Sequence, residues 1–230
     1  MAMDTEAVTA EPLLRLLHLV SPSLPVGAFA YSQGIEWAVE AGWVRTASDL
    51  EDWLADQLHH AVAVLDLPLL VRMHLAAEGR DAAAMGRWVD WLLAARETAE
   101  LRAEESNRGR ALADLLVAWH LPNAADWRPL LGRSQAAGFA FAAASWGIGR
   151  RETALGYAWG WLENLVLAAV KLVPLGQTEG QRALSRLIGQ VPALANRALM
   201  LDDGDIGAAS PALAIASSAH ESQYTRLFRS

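Results

Sequence analysis

Six histidines, at positions 18, 59, 60, 74, 120 and 220, are the only soft metal ligands in a chain without cysteine. No His-Glu-x-x-His pair occurs, so no local sequence pattern encodes a closed transition-metal site. Asp56 and His60 stand four residues apart, which puts them on one helix face, and a surface hydrogen-bonded pair accounts for that spacing better than a shared ion. Asp202, Asp203 and Asp205 resemble the opening of a calcium loop, but no glutamate closes it, which leaves a solvated acidic turn. Nucleotide binding lacks its device too, because no glycine-rich loop ends in Lys-Ser or Lys-Thr. Lys171, the only lysine among 19 lysine and arginine residues, sits in an apolar run. Burying its ammonium beside Leu167, Val170, Leu172 and Val173 is costly unless the head is paired or reaches water. Glu163 lies two helical turns earlier, too far for a direct pair in a straight helix. A head facing the negative end of the helix dipole is the simpler reading.

The absence of cysteine excludes disulfides and thiolate nucleophiles. A net charge of −7 argues against general phosphate-backbone binding, so nucleic acid is not an expected partner. The opening residues lack the basic and apolar regions of a signal peptide, and the apolar run from Leu165 to Leu175 is too short to span a bilayer. The expectation is a cytoplasmic protein that does not enter a membrane.

Alanine, leucine and arginine dominate, and β-branched residues other than valine are scarce, which favours helix throughout. The expected fold is all-α, a single-domain bundle of about ten helices spanning residues 1–230, with loose tails at 1–10 and 224–230. Pro12 starts a short helix that ends before Pro22, and a second runs through Ile35 and Trp37 to Gly42. Ser48 and Glu51 read as a capping box for a helix through Leu58 and Val62, and Asp66-Leu-Pro reads as the start of a separate helix ending at Gly79. Asp81 opens the next helix, and a long one runs from Thr98 to Trp119. On the latter, Glu100, Arg102, Glu104, Glu105, Arg108 and Arg110 read as a solvated face of weak charge pairs. A stretch of small residues from Ser134 to Trp146 suits close helix approach, and the apolar helix over 151–172 is expected at the centre. Helices from Thr178 to Gly189, from Pro192 to Leu201 and from Ser210-Pro211 onward complete the chain.

The densest cluster of special residues is Ser21-Pro-Ser-Leu-Pro-Val-Gly-Ala-Phe-Ala-Tyr-Ser-Gln-Gly-Ile-Glu36. Pro22 and Pro25 hold the chain extended, and Gly27 and Gly34 permit close backbone approach. Phe29 and Tyr31 then stand on a rigid platform, either reaching a partner or plugging the core. This stretch, the central Lys171-Leu-Val-Pro-Leu-Gly-Gln-Thr-Glu-Gly-Gln181 and the terminal Ala-His-Glu-Ser-Gln-Tyr-Thr-Arg-Leu-Phe-Arg-Ser230 resemble, in the same order, the urease accessory protein UreF family.

The resemblance implies a cytoplasmic, helical, homodimeric protein that is not an enzyme. Proteins of that family join UreD (also called UreH) and the GTPase UreG in a complex that matures the urease apoprotein. Nickel and GTP act through that complex, and no tightly bound cofactor is implied. The likeness assigns Phe29 and Arg226 to ordering of the tail, Trp159 to a nearby partner surface, and Tyr224, Leu227 and Phe228 to an amphipathic terminus that docks on a partner, with Tyr31 beside Phe29. Glu36, Glu163, Lys171, Gln177 and Gln181 are assigned to structure or to a route for nickel; Gln177 and Gln181 read from sequence alone as capping residues. The tail departs from the usual family pattern at Ala219, where relatives commonly carry arginine. Direct activation of the GTPase is an alternative role within the family. An all-α enzyme or small-ligand binder, using several of the 10 tryptophans with His59 or His60, is the alternative from another class.

Overall fold

The computed structural model describes residues 10–208 and 210–230. All regular structure in the described residues is helical, as the composition requires. The expected loose segment at 1–10 falls outside the described residues except for Ala10, which opens α1 (Ala10–Leu19). An extended loop leads through a 3-10 turn (Ala28–Ala30) to α2 (Ile35–Glu40).

The next element corrects the sequence reading. α3 (Ala47–Gln57), a π-helical segment (Leu58–Asp66) and α4 (Leu67–Glu78) form one uninterrupted rod of 32 residues. Pro68 cannot donate to the carbonyl four residues back and would ordinarily break the helix there. The wider π turn accommodates it, and the freed carbonyl of Val64 instead accepts the Gly207 N–H at 3.0 Å. This rod is long and apolar enough to cross a membrane, yet 72% of its most apolar window is buried within the protein, which marks it as a core helix. The capping box also moves by two residues. Thr46 accepts the Asp49 N–H, while Asp49 accepts the N–H groups of Arg45 and Thr46.

α5 (Ala82–Ala95), α6 (Ala99–Ala118) and α8 (Gln135–Ser145) begin after Asp81, Thr98 and Ser134, whose side chains each accept a first-turn N–H. Between α6 and α8 lies a short α7 (Ala124–Leu131), hidden from the sequence reading by Pro122 and Pro129. α9 (Arg150–Leu172), α10 (Gln177–Ile188), α11 (Val191–Met200) and α12 (Pro211–His220) follow. α4 packs on α8 and α5, α6 packs on α8, and α9 lies against α4, α10 and α11, while α12 rests on α2.

The second correction concerns α6. Glu104 and Glu105 are buried and the Arg108 side chain is 15% exposed, so these three of the charges read as solvated point inward, while Arg102 and Arg110 are exposed as expected. Charges four residues apart look alike in sequence whether they meet water or each other.

Candidate functional site

The loop after α1 and the end of the chain meet in space. Leu24 and Val26 anchor the loop in the core, and the 3-10 turn then presents Phe29 outward, 70% exposed. Tyr31 turns the other way. It is buried, its hydroxyl accepts a hydrogen bond from Asn107 Nδ2 at 3.2 Å, and its carbonyl accepts from Asn164. Of the two rings, one reaches solvent and one plugs the core. Gly34 has φ 79° and lies so close to α12 that a Cβ there would stand 3.1 Å from Ala216 and 3.2 Å from the Ser217 nitrogen.

The tail has no helix beyond His220, but its last residues are tied down. Arg229 N–H donates to the Ala30 carbonyl at 2.8 Å, and the Ser230 carbonyl accepts from both the N–H and the hydroxyl of Ser32. Phe228 and Ser230 are buried, whereas Tyr224 is fully exposed and Leu227 is 65% exposed. The tail therefore alternates anchors and exposed apolar groups.

A charged cluster holds this arrangement. Glu36, buried on the inner face of α2, accepts the N–H groups of Leu227 at 2.6 Å and Phe228 at 2.8 Å. Its carboxylate also faces His220 Nε2 at 3.3 Å, while His220 Nδ1 faces Glu100 at 2.7 Å. The second Glu100 oxygen accepts from Arg226 at 2.8 Å. Lys171 stands in the last turn of α9, exposed, with Nζ 5.7 Å above the Phe228 ring.

Behind the loop lies a cleft of about 900 Å³, solvent space at its mouth included, between the π-helical segment, α6, α8 and α9. Its wall carries an ion network in which Arg96 bridges Asp66 and Glu105. Burial raises the Asp66 pKa against the opposing pull of Arg96. Burial also works against the Glu105 carboxylate, but Arg96, the Ala136 N–H, the Ser134 hydroxyl and Arg108 together hold its pKa below the usual range. Burial, Glu105 and Asp66 push the Tyr157 hydroxyl well above its ordinary value, so it stays protonated. Glu163 also lines the cleft, its pKa raised by burial. Gln57 Oε1 and Arg108 Nε, both at the cleft, have no partner among the described protein atoms, which suits a wet lining.

Phe29, Tyr31, Glu36, Arg226, Leu227 and Phe228 thus come together, with Lys171 joining through Phe228. Tyr224 lies on the same tail. Trp159 lies apart, half-buried beside Leu155, Ile188, Val191 and Pro192. Gln177 and Gln181 are exposed on α10 away from the cleft, and the capping expected of them is done by the Glu179 carboxylate, 3.4 Å from the Gly176 nitrogen. The sequence reading missed the roles of Glu100 and His220, whose only signal was the place of His220 within the terminal motif. Asp56 and His60 form the expected pair at 3.0 Å, and no group of three or more acidic or histidine residues suited to a metal ion occurs among the described residues. Of the groups named for a small-ligand pocket, Trp161 lines the cleft, whereas neither His59, which is bonded to Gln190, nor His60, which pairs with Asp56, is among its lining residues.

A family model described as UreF matches residues 44–188. A protein from Alcanivorax borkumensis named urease accessory protein UreF is 52% identical over 224 residues, covering 94% of this chain and 97% of its own. A protein of the same name from Pseudomonas putida is 55% identical over 218 residues, covering 95% and 97%. Another from Klebsiella pneumoniae is 49% identical over 222 residues, covering 96% and 99%. The matched positions include the apolar rod, the charged inner face of α6 and most of the central helices, and the pairwise likeness extends over nearly the whole sequence: the chain belongs to the UreF family.

Proposed function

We propose that this chain is a non-catalytic urease accessory protein of the cytoplasm, a homodimeric scaffold that joins UreD/UreH and the GTPase UreG. In this role it couples GTP hydrolysis by UreG to nickel insertion into the urease apoprotein. The names of its relatives supply the urease connection. The observation that carries the scaffold reading is the platform formed by loop and tail, from which Phe29, Tyr224 and Leu227 project. Exposed aromatic and leucine side chains on a hydrogen-bonded base offer contact area at little cost in ordering entropy. The α1 face carrying exposed Leu13, Leu14 and Leu17 offers a second apolar surface. Among the polar residues assigned to a nickel route, Glu163 is the one that lines the cleft.

Size-exclusion chromatography with light scattering tests the reading. The intact chain mixed with UreD or UreH and with UreG is expected to elute as one complex of all three. Separate elution of all components would contradict the scaffold role.

A further inference from the structure

We propose that the docked C-terminal tail braces the wall of the cleft behind the loop, so that seating or lifting the tail changes the cleft. The coupling is a property of this chain alone and holds whichever partner the platform receives. It runs through Glu104 and Gln33. Glu104, buried on α6, accepts the Ser230 hydroxyl at 3.2 Å on Oε2; its Oε1 accepts from Gln33 Nε2 at 3.0 Å and from Arg108 Nη1 at 2.7 Å. The other end of the Gln33 amide, Oε1, accepts from the Trp161 indole N–H at 2.8 Å. Gln33, Arg108 and Trp161 all line the cleft, whereas Ser230 belongs to the tail. One continuous set of hydrogen bonds therefore joins the tail to the cleft wall.

The backbone at Gln33 marks this bridge as held under strain. Gln33 has φ 50°, in the left-handed region that a residue with a side chain rarely occupies, and Gly34 follows at φ 79°. Such a conformation persists only where the surroundings over-determine it. Here the Gln33 side chain is fixed at both ends, and the neighbouring Ser32 donates its N–H at 2.8 Å and its hydroxyl at 2.5 Å to the Ser230 carbonyl. When the tail lifts, Ser32 loses the acceptor of both bonds and Glu104 Oε2 loses its donor. An unsatisfied buried carboxylate oxygen is costly, so Glu104 turns toward the water that enters where Ser230 lay. Gln33 is then left on a strained backbone with one end released. Its relaxation withdraws the acceptor from Trp161, and platform and cleft become two sites coupled through one bistable segment.

Exchange of the tryptophan indole protons with water, followed by NMR on the isotopically labelled full chain, reads this directly, the Trp161 signal being assigned by its loss in Trp161→Phe. In a chain ending at Arg226, Trp161 exchange should rise on the order of tenfold, while the Trp127 indole, packed on Phe141, stays constant. Ser230→Ala, which keeps the backbone anchors of the tail, should raise Trp161 exchange in the same direction by less. In Gln33→Leu, Trp161 should exchange fast already, and shortening the chain should add nothing. Trp161 exchange that shortening leaves unmoved overturns the brace. So does a further rise on shortening in Gln33→Leu, because the coupling would then bypass Gln33. Should the shortened chain not fold, an unmoved Trp161 signal in Ser230→Ala overturns it.

Discussion

The Glu36 carboxylate receives the Phe228 N–H at 2.8 Å, a bond that closes almost the entire length of the chain. Both oxygens are used, the other by Leu227, so one side chain of α2 fixes two consecutive tail residues. In Glu36→Gln the amide keeps one acceptor and turns an NH₂ toward the second backbone donor. A loss of about 1–3 kcal/mol of tail anchoring is expected. It should appear as faster tryptic cleavage after Arg226, with the melting of the helical core little changed.

Arg96 is the cation between Asp66 and Glu105, and its removal strands two buried carboxylates. Arg96→Met should therefore cost about 3–5 kcal/mol despite matching the apolar volume of the side chain. Urea denaturation followed by circular dichroism measures it. A change below about 1 kcal/mol would mean that water already solvates the network through the cleft.

His74 is buried in α4, its Nε2 donating to the Ile148 carbonyl at 2.8 Å. Burial holds its pKa below the ordinary value, outweighing the Ile148 bond and the nearby Glu78. A base with a depressed folded pKa binds fewer protons folded than unfolded, so its contribution is present above the unfolded value, about 6.5, and is lost as pH falls through the folded value. Stability should decline on acidification from neutrality, and His74→Gln should show a shallower decline in urea melts compared at several pH values.

Gly109 lies where α6 crosses the start of α8. A Cβ there would stand 2.7 Å from the Ser134 carbonyl carbon and 2.8 Å from its nitrogen, both backbone atoms that cannot swing aside. Gly109→Ala should destabilise by about 1–3 kcal/mol even though alanine is the better helix former. A lowered thermal midpoint with unchanged helical signal is the expected outcome.

Much of the helix pattern was legible because caps act locally: Asp81, Thr98 and Ser134 each announce a helix from their own side chains. The continuity of α3 into α4 was not legible, since the group that relieves Pro68 is Gly207, far along the chain. Nor was the inward face of α6, because Glu105 is satisfied by Arg96, Ser134 and Ala136, partners brought by the fold rather than by spacing. The candidate site was half visible. The loop and tail stood out as separate motifs, but that they form one platform depends on Ser32 meeting Ser230 and Ala30 meeting Arg229.

The central claim is that the loop and tail platform is a docking surface, and Tyr224 and Leu227 are the side chains through which it can be tested without disturbing its anchors. The measurement is light scattering on mixtures of UreD or UreH, UreG and either the intact chain or the double variant Tyr224→Ala, Leu227→Ala. The account predicts a three-component complex with the intact chain and a loss of at least about tenfold in its affinity with the variant, at unchanged thermal midpoint. Equal complex formation by both proteins would contradict it.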